Sequence, residues 1–174
     1  DNIIVTGESS NNYQTIKYDQ FGTKLWEQTY SSYDENHAKS VSVDNLNNII
    51  VTGYIINNNV KEWLTIKYNP QGLLLWEKNF NDAEVNIAND VTCTNDNSII
   101  VVGTIFNNVN SDIQIIKYDQ NGQKIWEKSY DHNIGDDAKG CKINSAGEIL
   151  VTGSTYQTGQ KKNYLLTKFD PNNN

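Results

Sequence analysis

The sequence predicts an all-β fold made of four copies of one unit of about 50 residues, and three observations carry that prediction. Gly7, Gly53, Gly103 and Gly153 each close an apolar β-branched run: Ile3–Thr6, Ile49–Thr52, Ile99–Val102 and Ile149–Thr152. A second run follows each glycine: Ile16-Lys17-Tyr18-Asp19, Ile66-Lys67-Tyr68-Asn69, Ile116-Lys117-Tyr118-Asp119 and Thr167-Lys168-Phe169-Asp170. Trp26, Trp76 and Trp126 come next, 50 residues apart, and Ala38, Ala88 and Ala138 keep the same interval. Self-similarity at this period, carried by short β-like runs, marks a propeller or a solenoid. No window sustains a helical apolar period, so helix is expected to be nearly absent.

The second repeat shows the unit most completely. Ala38 to Val43 alternates small or apolar with polar residues and gives strand a. Ile49 to Gly53 is the β-branched strand b, and Tyr54 to Glu62 is expected to be a polar loop. Trp63 to Tyr68 alternates again as strand c, and Leu73 to Phe80 is strand d. Between them Asn69-Pro70-Gln71-Gly72 is a tight turn, with proline presetting φ and glycine taking positive φ. Four short antiparallel strands followed by a step to the next unit have the size of a propeller blade. The repeats run approximately 1–37, 38–87, 88–137 and 138–174 within one domain. Strand a is expected innermost, where small Ala38, Ala88 and Ala138 fit a crowded centre.

The c–d segment has a mechanical reading. Asp19 or Asp119 can accept backbone N–H bonds in the turn, and Gly22, Gly72 and Gly122 supply the positive φ. Trp26, Trp76 and Trp126 can wedge between adjacent blades, each N–H finding a local acceptor. These six are structural residues. Trp63 differs: it stands where the other repeats have Tyr13, Ile113 and Tyr164, at the start of strand c, and is a candidate ligand-facing aromatic. Lys17, Lys67, Lys117 and Lys168 recur in strand c, with Glu27, Glu77 and Glu127 in strand d; cross-strand pairing on a solvated face is expected.

Taken together, Ala-x-x-x-x-Val-Asp, Asn-x-Ile-Val-Thr-Gly and Ile-Lys-Tyr-Asp-x-x-Gly-x-x-x-Trp resemble the bacterial SBBP-type β-propeller repeat. The Gly-x-x-x-Trp part is also similar to the tryptophan-docking motif of PQQ-like propeller repeats. The resemblance covers essentially the whole chain. It implies an extracytoplasmic scaffold or binding module, secreted, periplasmic or on the bacterial cell surface. It implies no quinone cofactor, because the matching residues are the structural ones.

Aligned on the repeat, the first unit lacks strand a and the last lacks strand d, so fourteen strands are expected where four whole blades would need sixteen. Uncovered strand edges are a liability that proteins normally manage. Two explanations fit: a segment of a longer array, which the reading favours, or edge-to-edge association of two or more copies. The chain starts at Asp1 and has no methionine, which is expected of a processed or excised piece.

Composition narrows the function classes. The 174 residues are 37% apolar and 10% aromatic, which suits a packed β domain rather than a disordered one. The formal net charge of -7 repels phosphate backbones and anionic lipids, so neither nucleic acid nor a membrane surface is an expected partner. There is no apolar run of membrane-spanning length. Cys93 and Cys141 fall on apolar sides of their strands at different levels of neighbouring repeats, which favours two small buried hydrophobes over a disulfide.

Candidate sites lie on the face where the d–a and b–c loops emerge. The d–a loops carry Asp34 and Glu35, Asp82 and Glu84, and Asp131, Asp136 and Asp137. Clustered carboxylates suit a hard cation such as Ca2+, the one metal the sequence suggests. Alternatively Asn36, Asn86 and Asp136 cap the turn into strand a and the rest solvate the rim. The b–c loops, Glu8–Asn12, Tyr54–Glu62, Thr104–Asp112 and Ser154–Asn163, differ most between repeats, the first being shorter by about four residues. Variable loops on a regular scaffold are where binding concentrates. With Trp63, the aromatics Tyr54, Phe106 and Tyr156 are the candidate ligand contacts, for a protein partner or, beside so many amides, a glycan. Catalysis is poorly supported. His37 and His132 fall at different repeat positions, no Gly-x-Ser-x-Gly elbow or phosphate loop is present, and the sialidase-type Ser-x-Asp-x-Gly-x-x-Trp box is missing. A carboxylate pair for glycoside hydrolysis remains the third reading.

Overall fold

The computed structural model describes residues 2–82, 85–107, 109–131, 135–156 and 162–170, which contain fourteen strands and no helix. The first unit holds β1 (Ile3–Ser9), β2 (Asn12–Tyr18) and β3 (Lys24–Tyr30). The second holds β4 (Glu35–Val43), β5 (Ile49–Asn57), β6 (Val60–Tyr68) and β7 (Leu74–Phe80). The third holds β8 (Val85–Cys93), β9 (Ile99–Phe106), β10 (Ser111–Tyr118) and β11 (Lys124–Tyr130), and the fourth β12 (Gly135–Ile143), β13 (Ile149–Tyr156) and β14 (Asn163–Phe169). Strands pair antiparallel with their sequence neighbours inside each unit. The middle units are joined by one parallel pair, Lys61 with Val85.

The stretch Tyr54–Glu62 is not a loop, as the sequence suggested. Strand b runs on to Asn57, and strand c resumes at Val60 after the two residues Asn58 and Asn59, at φ 50° and 65°. Ser10 and Asn11 do the same in the first unit, at φ 51° and 62°. Two consecutive positive-φ residues make the hairpin turn whose twist matches the strands, and asparagine tolerates it best after glycine. The first b–c segment is shorter because β1 and β2 have 7 residues each where β5 and β6 have 9. Strand length, not loop length, varies there.

Strand a carries a bulge at one repeat position. The ladder slips between Ala38 and Ser40, between Ala88 and Asp90, and between Ala138 and Gly140. Just before the slip, strand a presses on the glycine of strand b. A Cβ on Gly53 would stand 2.0 Å from the His37 carbonyl oxygen, on Gly103 2.1 Å from that of Ile87, and on Gly153 1.9 Å from that of Asp137. Side chains cannot fit there, so the Ile-Val-Thr-Gly signature records backbone contact.

The core lies between units, in three layers. Tyr13 and Tyr30 meet Ile49, Val51, Leu64, Ile66 and Tyr68 between units one and two. Ile50 and Trp63 meet Ala88, Val91, Ile99, Val101, Ile116 and Tyr118 between two and three. Ile100, Val102, Ile113 and Ile115 meet Ala138, Cys141, Ile149 and Val151 between three and four. Cys93 and Cys141 are both free thiols in these layers. Burial pushes both up in pKa, with Asp90 adding to the effect at Cys141.

The recurrent lysine is not on a solvated face, as the sequence suggested. Lys17 Nζ and Trp26 Nε1 both donate to the carbonyl of Pro70 in the next unit, at 2.9 and 3.0 Å. Lys67 Nζ and Trp76 Nε1 donate likewise to Gln120, at 3.0 and 3.1 Å. Each pair latches one unit onto the c–d turn of its neighbour. That turn is held by its own Asx side chain: Asp19, Asn69 and Asp119 each accept two backbone N–H bonds through Oδ1. The glycines bring it close, at φ 84°, 86° and 79° for Gly22, Gly72 and Gly122. Trp26 packs 3.1 Å from where a Gly72 Cβ would be, and Trp76 2.9 Å from one on Gly122. Glu27 pairs instead with Lys24, at 2.6 Å.

Lys67, only 1% exposed, also pairs with buried Asp44 at 2.9 Å. Burial would raise the Asp44 carboxyl, but hydrogen bonds from Asn48 and Lys67 outweigh it and hold the group below the usual range. A depressed folded-state pKa contributes stability above the unfolded value, lost as pH falls through the folded one. Lys67→Met should therefore cost about 3 kcal/mol at neutral pH, since it strands a buried carboxylate. Urea unfolding at several pH values should show that deficit shrinking as Asp44 becomes protonated. Gly103→Ala should cost about 3 kcal/mol in the same assay, because its obstacle is backbone. Gly7→Ala should stay within about 0.5 kcal/mol of wild type, as nothing lies within 4 Å of its Cβ position.

Candidate functional site

The b–c hairpins and the d–a connections meet at one end of the sheets. The Asn36 backbone N–H reaches the Asn11 carbonyl at 2.8 Å, and that of Asn58 reaches Asp34 Oδ2 at 3.2 Å. Strand a begins there at a buried Asx side chain. Asn36 Nδ2 bonds the carbonyls of Asn11 and Tyr33, and Asn86 Nδ2 bonds the Lys61 carbonyl and Asn81 Oδ1. Asp136 occupies the equivalent place and is fully buried.

On this rim the structure assembles a cluster. Because β4 starts at Glu35, His37 pairs in register with Tyr54, and the two rings stack with centroids 4.5 Å apart at 20°. His37 lies between two carboxylates, with Nδ1 2.5 Å from Glu8 Oε2 and Nε2 3.0 Å from Glu35 Oε2. Lys61 Nζ stands 4.8 Å and Lys39 Nζ 5.5 Å from the Tyr54 ring centroid, within reach of its π face. Burial, then Glu8 and Glu35, raises the Tyr54 hydroxyl in pKa. An aromatic pair with two acids and two bases around it offers stacking, donors and acceptors together. Sequence reasoning found Tyr54 but missed His37, Glu8, Lys39 and Lys61. The signal was the period-2 continuation of strand a three residues before Ala38.

A second cluster repeats the geometry with different charge. Glu62 receives amides from Asn57, Asn79 and Asn81. Fifty residues on, Asp112 receives one amide, from Asn107 at 3.1 Å. Asp131 stands in the place of Asn81, and Asp136 in that of Asn86. Asp112 is 7% exposed and its Oδ1 has no protein partner. Burial raises its pKa, and Asp131 and Asp136 push it further.

The remaining candidates are scattered. Trp63 is 1% exposed, packed 5.3 Å centroid-to-centroid from Phe80 between units two and three, which leaves no open ring face for a ligand. Phe106 and Tyr156 stand at equivalent ends of β9 and β13 and are each 40% exposed, Lys162 Nζ lying 5.1 Å over the Tyr156 ring. Asp137 pairs with Lys162 at 3.2 Å, and the Asp82 backbone N–H contacts Asn86 Oδ1 at 3.4 Å. Glu84 lies outside the described residues. Asp34, Glu35, Asp82, Asp136 and Asp137 are thus held in separate contacts. Among the described residues no three His, Cys, Asp or Glu side chains converge as a metal site.

No family model matches the chain, and no curated protein matches it significantly. Solved structures do. A protein of unknown function from Bacteroides caccae matches with TM-score 0.58 and 14% identity, over 94% of this chain and 57% of that one. A sialidase from Streptococcus pneumoniae matches with TM-score 0.64 and 9% identity, over 91% of this chain and 26% of that one. A periplasmic gluconolactonase from Pseudomonas aeruginosa matches with TM-score 0.54 and 10% identity, over 87% of this chain and 47% of that one. The neighbours are propeller-type folds, and at these identities the likeness is one of fold. This chain spans about a quarter to just over half of each of them. No helix among the described residues is long and apolar enough to cross a membrane.

Asp112 gives a test with a defined sign. A raised folded-state pKa means the fold penalises the ionised form above that pKa, and the penalty vanishes where Asp112 is protonated in both states. Asp112→Asn should raise the thermal midpoint at pH 7, with the gain gone by about pH 3. Scanning calorimetry across that range checks it.

Proposed function

We propose that the chain is a non-catalytic binding module of β-propeller architecture, akin to the SBBP-type repeat, presented outside the bacterial cytoplasm and engaging a protein partner through its rim. One observation carries the reading: the Tyr54–His37 stack with Glu8, Glu35, Lys39 and Lys61 around it. Both charge signs beside an aromatic pair suit the side chains and backbone of a protein surface. The periplasmic gluconolactonase among the structural neighbours supports an extracytoplasmic setting.

Carbohydrate binding is the second reading. Phe106 and Tyr156, half-open at equivalent rim positions, have ring faces on which a sugar can stack. Selection from a displayed peptide library separates the two. Peptides enriched by the wild-type chain and lost with the Tyr54→Ala/Lys61→Glu variant support the protein reading; identical enrichment by both excludes the rim cluster. Dose-dependent glycan-array binding, abolished by Tyr156→Ala, would establish the sugar reading instead. Turnover of a sialoside or a sugar lactone, lost on replacing a single carboxylate, would overturn the non-catalytic assignment.

A further inference from the structure

β1 stands at the edge of its sheet and, among the described residues, pairs with β2 alone. In the other three units a strand a lies along that edge in constant register. Ala38 faces Gly53, Val41 faces Val51 and Val43 faces Ile49. Ala88, Val91 and Cys93 face Gly103, Val101 and Ile99, and Ala138, Cys141 and Ile143 face Gly153, Val151 and Ile149. There the glycine is compulsory, since its Cβ would meet a strand-a carbonyl oxygen at 1.9–2.1 Å.

Gly7 has the same place in β1 without that pressure. A Cβ there meets nothing within 4 Å, and its φ is not positive, so neither packing nor backbone conformation in the free chain calls for glycine. The apolar residues beside it are open as well. Val5 is 49% exposed where Val51, Val101 and Val151 are 0%, and Ile3 is 51% exposed where Ile49 is 1%. β1 therefore keeps the small residue, the apolar pair and the free backbone edge that a strand-a segment uses, with that place unfilled.

We propose that the β1 edge binds an extended peptide segment of a partner protein, antiparallel, by adding it as a fourth strand to the first unit. Main-chain hydrogen bonds along an exposed edge supply affinity in such additions, and alternate side chains supply selectivity. The three internal examples define the ligand. It carries alanine opposite Gly7, one bulged residue after it, valine or cysteine opposite Val5, and valine, cysteine or isoleucine opposite Ile3: Ala-x-x-Val-x-Val in its simplest form. A residue larger than alanine opposite Gly7 meets the backbone of β1. This site is separate from the rim cluster, so either can fail alone.

The test uses the intact 174-residue chain and a fluorescein-labelled peptide with the sequence of residues 35–43, followed by anisotropy. Saturable binding is expected, with none for a scrambled peptide of the same composition. Gly7→Ala should weaken binding at least about tenfold while leaving the chain's thermal midpoint unchanged. The labelled peptide carrying Ala38→Leu should lose binding to the wild-type chain to a similar degree, a result independent of how the Gly7 variant folds. Absence of binding, or equal binding by the Gly7→Ala chain, overturns the proposal. Light scattering probes the same edge without a peptide. A mass twice the 19.7 kDa of one chain, reverting to a monomer with Gly7→Ala, puts a second copy on this edge and overturns the peptide assignment.

Discussion

Face-to-face packing of successive units is the constraint on which everything else depends. Each unit is a small sheet of three or four strands with two apolar faces, and such a sheet is not stable alone. Val51 and Ile66 point one way from unit two, and Ile50 and Trp63 the other, and each set is buried only because a neighbouring unit lies against it. Strands covered on both faces read as continuous apolar runs, which is why strand b appears as Ile-Ile-Val rather than as an alternation. The Lys and Trp latches set the spacing of the layers. Two donors on one carbonyl tie the outer strands of one unit to the c–d turn of the next, with Asp44 balancing the buried Lys67 charge.

Much of this was legible in the sequence. The period, the number of strands, the c–d turn and the inter-unit tryptophan all have signatures that need no tertiary knowledge: a glycine at positive φ, an Asx two residues before the N–H it accepts, a large aromatic at fixed spacing. The lysine was misread because local reasoning sees only its cross-strand glutamate. The carbonyl that binds Lys17 belongs to Pro70, 53 positions further on. Trp63 was misread for the same reason. Its burial depends on Gly103 in the next unit, whose Cβ position lies 2.7 Å from the indole. The asparagine-rich b–c stretches looked like loops because asparagine is common in both loops and two-residue hairpins. Only the backbone shows Asn58 and Asn59 closing a ladder that continues on either side.

The rim follows a different logic, because packing does not dictate its residues. At one position of strand c the sequence has Asn12, Glu62, Asp112 and Asn163, with partners that change in step. Glu62 is ringed by amides, whereas Asp112 faces the charges of Asp131 and Asp136. The scaffold tolerates both, at the expense of stability in the second case. Periodicity cannot predict such a site, since its information lies in departures from the period. His37 is the clearest example. It has no histidine counterpart in the other repeats, yet register alone sets it on Tyr54 and between two glutamates.

The same distinction between what packing requires and what it leaves open applies to glycine. Gly53, Gly103 and Gly153 are explained by the carbonyl oxygens against them, so their identity says nothing beyond the fold. Gly22, Gly72 and Gly122 are explained by positive φ. Gly7 has neither explanation, and it sits beside two apolar side chains exposed where their counterparts are covered. A residue whose type is explained by contacts everywhere except in one unit points to a contact made from outside the chain. An uncovered edge of this kind would otherwise be blunted with charge, proline or a bulge. β1 has none of the three along Ile3–Gly7, and its regular ladder with β2 leaves the outer edge extended and ready to pair.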